Sequence, residues 1–354
     1  MTPPPNENPV LHRAARFEDA LNRTAARLMR RRGWRPQVIT YTGYGTDGWV
    51  RVLARVLLAP PRVGDRRSGA MRGWRHFVSA KVGGVPVSVE VGGRRHVVET
   101  GRGGYIDVVL PAQLEPGWAA AGVSIADAPV VEAPLRVVGP HERLGIVSDI
   151  DDTVLVTALP RPLLAFWNTF VRHEESRTPV PGMAEFYRTV RAGDPEAFVV
   201  YVSTGAWNVA PALRRFLHKR GFPTGPMLLT DWGPTPEGWF RSGQDHKRAT
   251  LRRLVDDLPQ LRWVLVGDDG QHDPALYDEI VWARPDDVRF VAVRQLAAAE
   301  QVLTHGTPVP LPGAPDTTRG RAGSTVPWVR GANGHELVVE LRRLGLLDDA
   351  TLHP

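Results

Sequence analysis

The segment SDIDDT at 148–153 sets Asp149 and Asp151 two residues apart. In extended chain such residues point the same way. One carboxylate can then attack while the other moves protons. Attack on a phosphate forms an aspartyl-phosphate. Two anions repel, so the attack needs a cation, and paired carboxylates suit Mg²⁺. The same letters also suit a helix N-cap or turn. Three later pieces carry comparable chemistry. Ser203, Thr204 and Gly205 follow the apolar run AFVVYVS (197–203). A hydroxyl and free amides at a strand end can hold a phosphate oxygen, and Gly205 lets the backbone come close; an ordinary strand-to-helix turn is the alternative. Lys247 stands beside His246 at the predicted start of a helix, where a cation opposes the dipole and asks for a functional reason. It could pair with phosphate and with the attacking carboxylate, or be a surface lysine. In GDDGQHD (267–273), Asp268 and Asp269 end a third strand and Asp273 follows a turn later. Such a cluster suits Mg²⁺ or an Asp-Gly turn.

The elements that must position these groups read as a parallel sheet. The runs LGIVS (144–148), AFVVYVS (197–203), WVLVG (263–267) and VRFVAV (288–293) are continuously apolar, as strands buried on both faces are. APALRRFLHKRG (210–221) and KRATLRRLVDDL (247–258) have helical periodicity between them. Strands separated by helices imply a doubly wound parallel sheet. Its ligands sit beyond the carboxyl ends of the strands, where the aspartates fall.

Upstream, short runs recur at 37–42, 49–59, 85–91, 96–100, 105–110, 121–126 and 135–138, with Gly, Pro and Asp between them. That spacing predicts an antiparallel β-sandwich, read as a structural or docking module. Residues 1–10 read as a leader and 11–32 as a basic amphipathic helix, which could pack on its own protein or lie on an anionic membrane. Residues 305–326 read as a linker and 335–346 as a helix that docks back. The apolar stretch LLAFWNTFV (163–171) lies beside the predicted site and could accept acyl chains or be a core helix.

The chain has 354 residues, too many for one ordinary domain. It has no cysteine, which excludes disulfides and thiolate chemistry. No apolar stretch is long enough to span a membrane, and the N-terminus does not read as a signal peptide. The expected location is the cytoplasm, with peripheral contact at the inner face of the membrane as a further option. Net charge is +6, which suits anionic surfaces. Nearly all of the positive charge is arginine, however, with lysine only at 81, 219 and 247, as a GC-rich genome also produces.

Two carboxylates, a hydroxyl, a lysine and an acidic cluster at successive strand or helix ends resemble the motif set of the haloacid-dehalogenase superfamily. More narrowly, residues 144–300 resemble the actin-patch-associated phosphatidate phosphatase family (APP-type catalytic domain). The pieces are SDIDDTV (148–154), PVPGM (179–183), YVSTGAWN (201–208), FPTGPMLL (222–229), DHKRATL (245–251) and GDDGQHDPALY (267–277). Upstream YTGYGT (41–46) adds to the likeness.

The resemblance implies a Mg²⁺-dependent phosphomonoesterase, and for its fungal member the conversion of phosphatidic acid to diacylglycerol. It implies Asp149 as nucleophile and Asp151 as general acid/base, with Ser203 and Lys247 stabilising the phosphoryl group. Mg²⁺ would take Asp149, the Asp151 carbonyl and Asp268, assisted by Asp269 or Asp273. The chain departs from the family pattern in two places: Thr204, Gly205 and Ala206 replace the expected serine-proline context, and Asp269 stands where serine is expected. The fold class expected is α/β, a Rossmann-like haloacid-dehalogenase parallel sheet preceded by a smaller antiparallel β-sandwich domain. Boundaries are expected at 1–34, 35–140, 141–304 and 305–354. Two other functions compete: a phosphatase for nucleic-acid ends or another phosphomonoester, which no RNA-binding motif supports, and a non-catalytic adaptor on a phosphatase scaffold.

Overall fold

A computed structural model of the chain describes residues 31–59, 83–126, 128–156, 177–230, 239–270, 272–297 and 324–347. Most of the predicted N-terminal helix, the 163–171 stretch and most of the 305–326 linker lie outside them. The chain divides into two compact units. One comprises the described residues within Met1–Gly43, Arg51–Ala112 and Ala120–Leu135; the other those within Tyr44–Val50, Gln113–Ala119 and Arg136–Pro354.

The upstream strands are β1 (Arg35–Thr46), β2 (Trp49–Ala59), β3 (Pro86–Val91), β4 (Arg94–Glu99), β5 (Tyr105–Pro111), β6 (Gly117–Ser124) and β7 (Val131–Val138). They form one hydrogen-bonded sheet in the order β4-β3-β6-β7-β1-β2-β5. The sequence predicts a two-sheet sandwich; among the described residues the seven strands share a single sheet. Alternating apolar residues specify strands without specifying how many sheets they make. The β3–β4 hairpin closes on Gly92 and Gly93, at φ 55° and 72°. A two-residue turn that matches the strand twist needs both central residues there.

The second sheet is six-stranded and wholly parallel: β8 (Leu144–Ser148), β9 (Phe198–Ala206), β10 (Met227–Thr230), β11 (Arg262–Asp268), β12 (Val288–Arg294) and β13 (Trp328–Gly331). Its order is β10-β9-β8-β11-β12-β13. Among the described residues five helices connect or flank it: α1 (Met183–Val190), α2 (Ala210–Lys219), α3 (Trp239–Asp257), α4 (Asp273–Ala283) and α5 (Gly334–Arg343). The interiors of the central strands are mainly apolar and buried, as a sheet covered on both faces requires, with Arg262 of β11 exposed and Arg289 of β12 half-buried. Met183, Phe186, Tyr187 and Val190 make the buried stripe of α1 at helical spacing.

Three sequence expectations need correction here. β9 runs on to Ala206 instead of ending at Ser203. α3 starts at Trp239, so Lys247 sits in mid-helix and not at an N-terminus. The helix dipole therefore says nothing about Lys247. β13 has no counterpart among the expected strands; the four residues WVRG add a parallel edge strand beside β12 just past the Pro/Gly-rich stretch. Among the described residues no helix is long and apolar enough to cross a membrane.

Candidate active site

The sheet order places a switch point between β8 and β11, where the chain leaves the centre in opposite directions. Open parallel sheets bind ligands outside the carboxyl ends of the strands at such a point. Asp149 follows β8 directly, and Asp268 is the last residue of β11. The Asp149 amide donates to Val266 O at 2.9 Å, continuing the β8–β11 ladder by one residue. Behind it, Ser148 Oγ donates to the Asp149 carbonyl at 2.6 Å and lies 2.5 Å from the Tyr187 hydroxyl. After Ile150 the chain turns sharply, with Asp152 at φ 54° and its amide donating to Leu155 O at 2.9 Å.

Four of the predicted residues converge on this point. Lys247 Nζ lies 2.7 Å from Asp149 Oδ1 and 2.7 Å from Asp273 Oδ1, so one ammonium bridges two carboxylates. Asp149, Asp268 and Asp273 can each offer an oxygen with all three atoms within 4.8 Å of one another. Asp268 is held by its neighbours: Oδ1 accepts from the Gly270 amide at 2.8 Å, and Oδ2 from Thr153 Oγ1 at 3.4 Å. Gly267 makes room for Asp273, since a Cβ there would meet Asp273 Oδ2 at 2.6 Å.

Asp151 and Ser203 form a second pair. Ser203 Oγ donates to Asp151 Oδ2 at 3.1 Å and accepts from the Gly205 amide at 2.9 Å. The Gly205 N–H is thus used internally, which departs from the free amide the sequence predicts. The carbonyls of Thr204 and Gly205 both accept from Thr230 Oγ1, at 2.7 and 3.2 Å. Asp269 serves the backbone instead, with its Oδ1 accepting from the Leu296 amide at 2.8 Å. It is absent from the three-carboxylate group, which Asp273 completes.

Sequence reasoning passes over Tyr187, Thr153 and Arg294. Tyr187 carries a polar tip on an otherwise apolar helix stripe. Arg294 is a cation at the end of an apolar strand. Both are visible signals of a buried polar partner.

The electrostatics follow from burial. Asp149, Asp151, Asp152, Asp268 and Asp273 are all buried, and Lys247 is 6% exposed. Burial pushes the Asp149 carboxyl well above the ordinary carboxylate range; Lys247 pulls it back, while Asp273 and Asp151 add to the rise. Burial raises Asp268 likewise, reinforced by Asp273 and Asp149. Burial alone lowers the Lys247 ammonium, but Asp149 and Asp273 outweigh it and keep it charged. Asp149 Oδ2, Asp151 Oδ1 and Asp273 Oδ2 are buried without a hydrogen-bond partner. Orphaned anionic oxygens are costly, and a cation would satisfy them. The donors are all carboxylate oxygens, which select a hard ion of the Mg²⁺ type.

Burial, and next the charge of Asp152, push Asp151 up to about 7, against the pull of Lys247 and Ser203. A carboxyl raised in the folded state stabilises the fold while protonated. That contribution is full below its unfolded value near ~3.9 and is lost as pH rises through about 7. In EDTA, Tm should therefore fall across this window, and Asp151→Asn should flatten the fall. An equal slope in both proteins would contradict the assignment.

Residues 144–295 match the family model described as phosphatidate phosphatase APP1, catalytic domain. The chain is 25% identical over 163 residues to the phosphatidate phosphatase APP1 of Saccharomyces cerevisiae, covering 46% of this chain and 27% of that protein. It is 24% identical over 176 residues to an uncharacterized protein of Schizosaccharomyces pombe, covering 49% and 29%. The chain thus spans under a third of the length of these curated relatives. Among solved structures, a glycosyl hydrolase family 2 member from Bacteroides cellulosilyticus aligns at a TM-score of 0.21 and 9% identity, over 77% of this chain and 36% of that one. So low a score carries no argument.

Proposed function

We propose, from the premise that residues 144–295 belong to the APP1-type catalytic-domain family, that this chain is a Mg²⁺-dependent phosphomonoesterase of the haloacid-dehalogenase type, acting on phosphatidic acid. The observation that carries the reading is the buried Asp149–Lys247–Asp273 bridge beside Asp268 at the switch point of a parallel sheet. The strand order β10-β9-β8-β11-β12-β13, in chain order 3-2-1-4-5-6, is that of a doubly wound sheet and supports a Rossmann-like assignment. The net charge of +6 suits an anionic lipid surface.

In this reading Asp149, Asp268 and Asp273 would hold Mg²⁺, together with the Asp151 carbonyl. When bound, the ion supplies charge neutralisation for the phosphate oxygens. The Asp149 carboxylate attacks phosphorus; the new O–P bond forms as the bond to the ester oxygen breaks. Asp151 gives its proton to the departing oxygen, yielding an alcohol and an aspartyl-phosphate. Its raised pKa leaves it partly protonated near neutral pH, as a general acid requires. Asp151 then takes a proton from water, which attacks phosphorus and breaks the bond to Asp149. Inorganic phosphate leaves and both carboxyls return to their starting state. Ser203 orients Asp151 through its 3.1 Å hydrogen bond, and Lys247 stabilises charge on the phosphoryl group.

The test is release of inorganic phosphate from phosphatidic acid in vesicles, sugar phosphates and nucleic-acid 5′ and 3′ phosphates, each with Mg²⁺ or EDTA. Vesicle phosphatidic acid is expected to be the best substrate, with EDTA abolishing turnover and Mg²⁺ restoring it. Hydrolysis of soluble esters alone would reject the lipid assignment. No hydrolysis of any ester would reject the phosphatase and favour the adaptor reading.

A further inference from the structure

We propose that Arg294 is a positioning residue: it fixes the turn that carries Asp149 and Asp151, and through it residues 328–343, beyond the matched family segment, become part of the catalytic framework. Arg294 ends β12 and is buried. Its Nη1 donates to the Asp152 carbonyl at 2.7 Å, and its Nε to the Ala332 carbonyl at 3.1 Å. Its own carbonyl accepts from the Asp269 amide at 3.0 Å. One residue therefore ties together the turn after β8, the turn after β11 and the segment after β13.

The turn needs such a hold. Asp152 has φ 54°, a left-handed conformation that residues with side chains adopt seldom. Its amide is closed on Leu155 O, and its carbonyl is closed by Arg294. A guanidinium presents donors in a rigid fork, so it can satisfy two carbonyls at a fixed separation; an ammonium on a flexible stem has no such fork. Asp149 and Asp151 lie within three residues of the clamped carbonyl, and catalytic geometry tolerates displacements of only a fraction of an ångström.

The far side of the clamp is itself anchored. The Gln295 amide donates to Gly331 O at 2.9 Å, and the Ala332 amide to Glu336 Oε2 at 2.8 Å. Asn333 caps α5 by accepting from the Glu336 amide at 3.1 Å. The Gly334 amide donates to Pro181 O at 2.9 Å, with Gly334 so close to Gly182 that a Cβ would meet its carbonyl carbon at 2.1 Å. From Gly182, α1 leads to Tyr187, whose hydroxyl contacts Ser148 Oγ behind Asp149. The segment after β13 thus braces the nucleophile turn by two routes, one through Arg294 and one through α1.

The kinetic arm of the test rests on the proposed phosphatase chemistry; the exchange arm does not. In Arg294→Ala, kcat is expected to fall by roughly 10²-fold, the scale of a misplaced catalytic group. KM should stay within about threefold, because Arg294 does not touch substrate. Arg294→Lys should fall between Ala and wild type, and free guanidinium at low concentration should restore part of the Ala variant's kcat. Hydrogen–deuterium exchange should quicken in residues 149–155 and not in α2. Unchanged kcat in Arg294→Ala, or unchanged exchange at 149–155, overturns the proposal. If Arg294→Ala does not fold, the Lys variant carries both readouts, with the same overturning results. If the wild type hydrolyses no phosphomonoester, the proposed function fails while exchange still decides the role of Arg294.

Discussion

Asp149→Asn is expected to reduce phosphomonoester turnover to background while leaving the fold intact. The amide keeps the shape of the side chain but cannot form the aspartyl-phosphate, so the loss should be on the order of 10⁴-fold or more. The backbone anchors of residue 149, its amide on Val266 O and its carbonyl under Ser148 Oγ, do not involve the carboxylate. Lys247 keeps its contact with Asp273 at 2.7 Å. Burial already strains Asp149 toward its neutral form. A neutral amide should therefore leave Tm in EDTA equal to or above that of wild type. The measurements are kcat at saturating Mg²⁺ and Tm in EDTA. Near-wild-type kcat would sink the nucleophile assignment, and a large fall in Tm would show that loss of activity reflects loss of fold.

The carboxylates of this site are legible in the sequence because they obey local rules. Asp149 and Asp151 keep the period of extended chain, and Asp268 closes an apolar run. The choice between Asp269 and Asp273 is not local. It depends on Gly267 leaving space for Asp273 and on the Leu296 amide drawing Asp269 away. Lys247 stands out in the sequence for a reason that fails, a place at a helix start, although the residue does meet the carboxylates. Helix α3 begins eight residues earlier, so three-dimensional reach and not the dipole brings Nζ to the site. Arg294 shows in the sequence as a cation closing an apolar strand, but its partners do not show. It acts on backbone carbonyls, which every residue carries, so no pattern of side chains announces the partner. The edge strand β13 is four residues long beside a Pro/Gly-rich stretch, too short for a period to register.

Lys247→Met should be the most damaging change to the metal-free protein. The lysine is the ammonium between Asp149 and Asp273, and removing one partner of a buried ion group typically costs about 3–5 kcal/mol. The pH at which this is read decides the result. A raised lysine pKa means its stabilising charge is complete below its unfolded value, roughly 10.4, and is lost only above that, so Lys247 stays charged throughout the working range. The pH dependence must then come from the carboxyls, whose raised pKa values let them protonate as pH falls. The fall in Tm caused by Lys247→Met in EDTA should accordingly be large at alkaline pH and smaller at acid pH. Adding Asp273→Asn to Lys247→Met should recover part of the stability, because it removes one of the uncompensated charges. Mg²⁺ should also restore stability, yet kcat should stay low, since no ion at the carboxylates replaces the ammonium on the phosphoryl group. Equal Tm losses at both pH values would contradict the coupling of Lys247 to the charge of the carboxylates, and full recovery of kcat with Mg²⁺ would mean that Lys247 acts only as a counter-charge and not on the substrate.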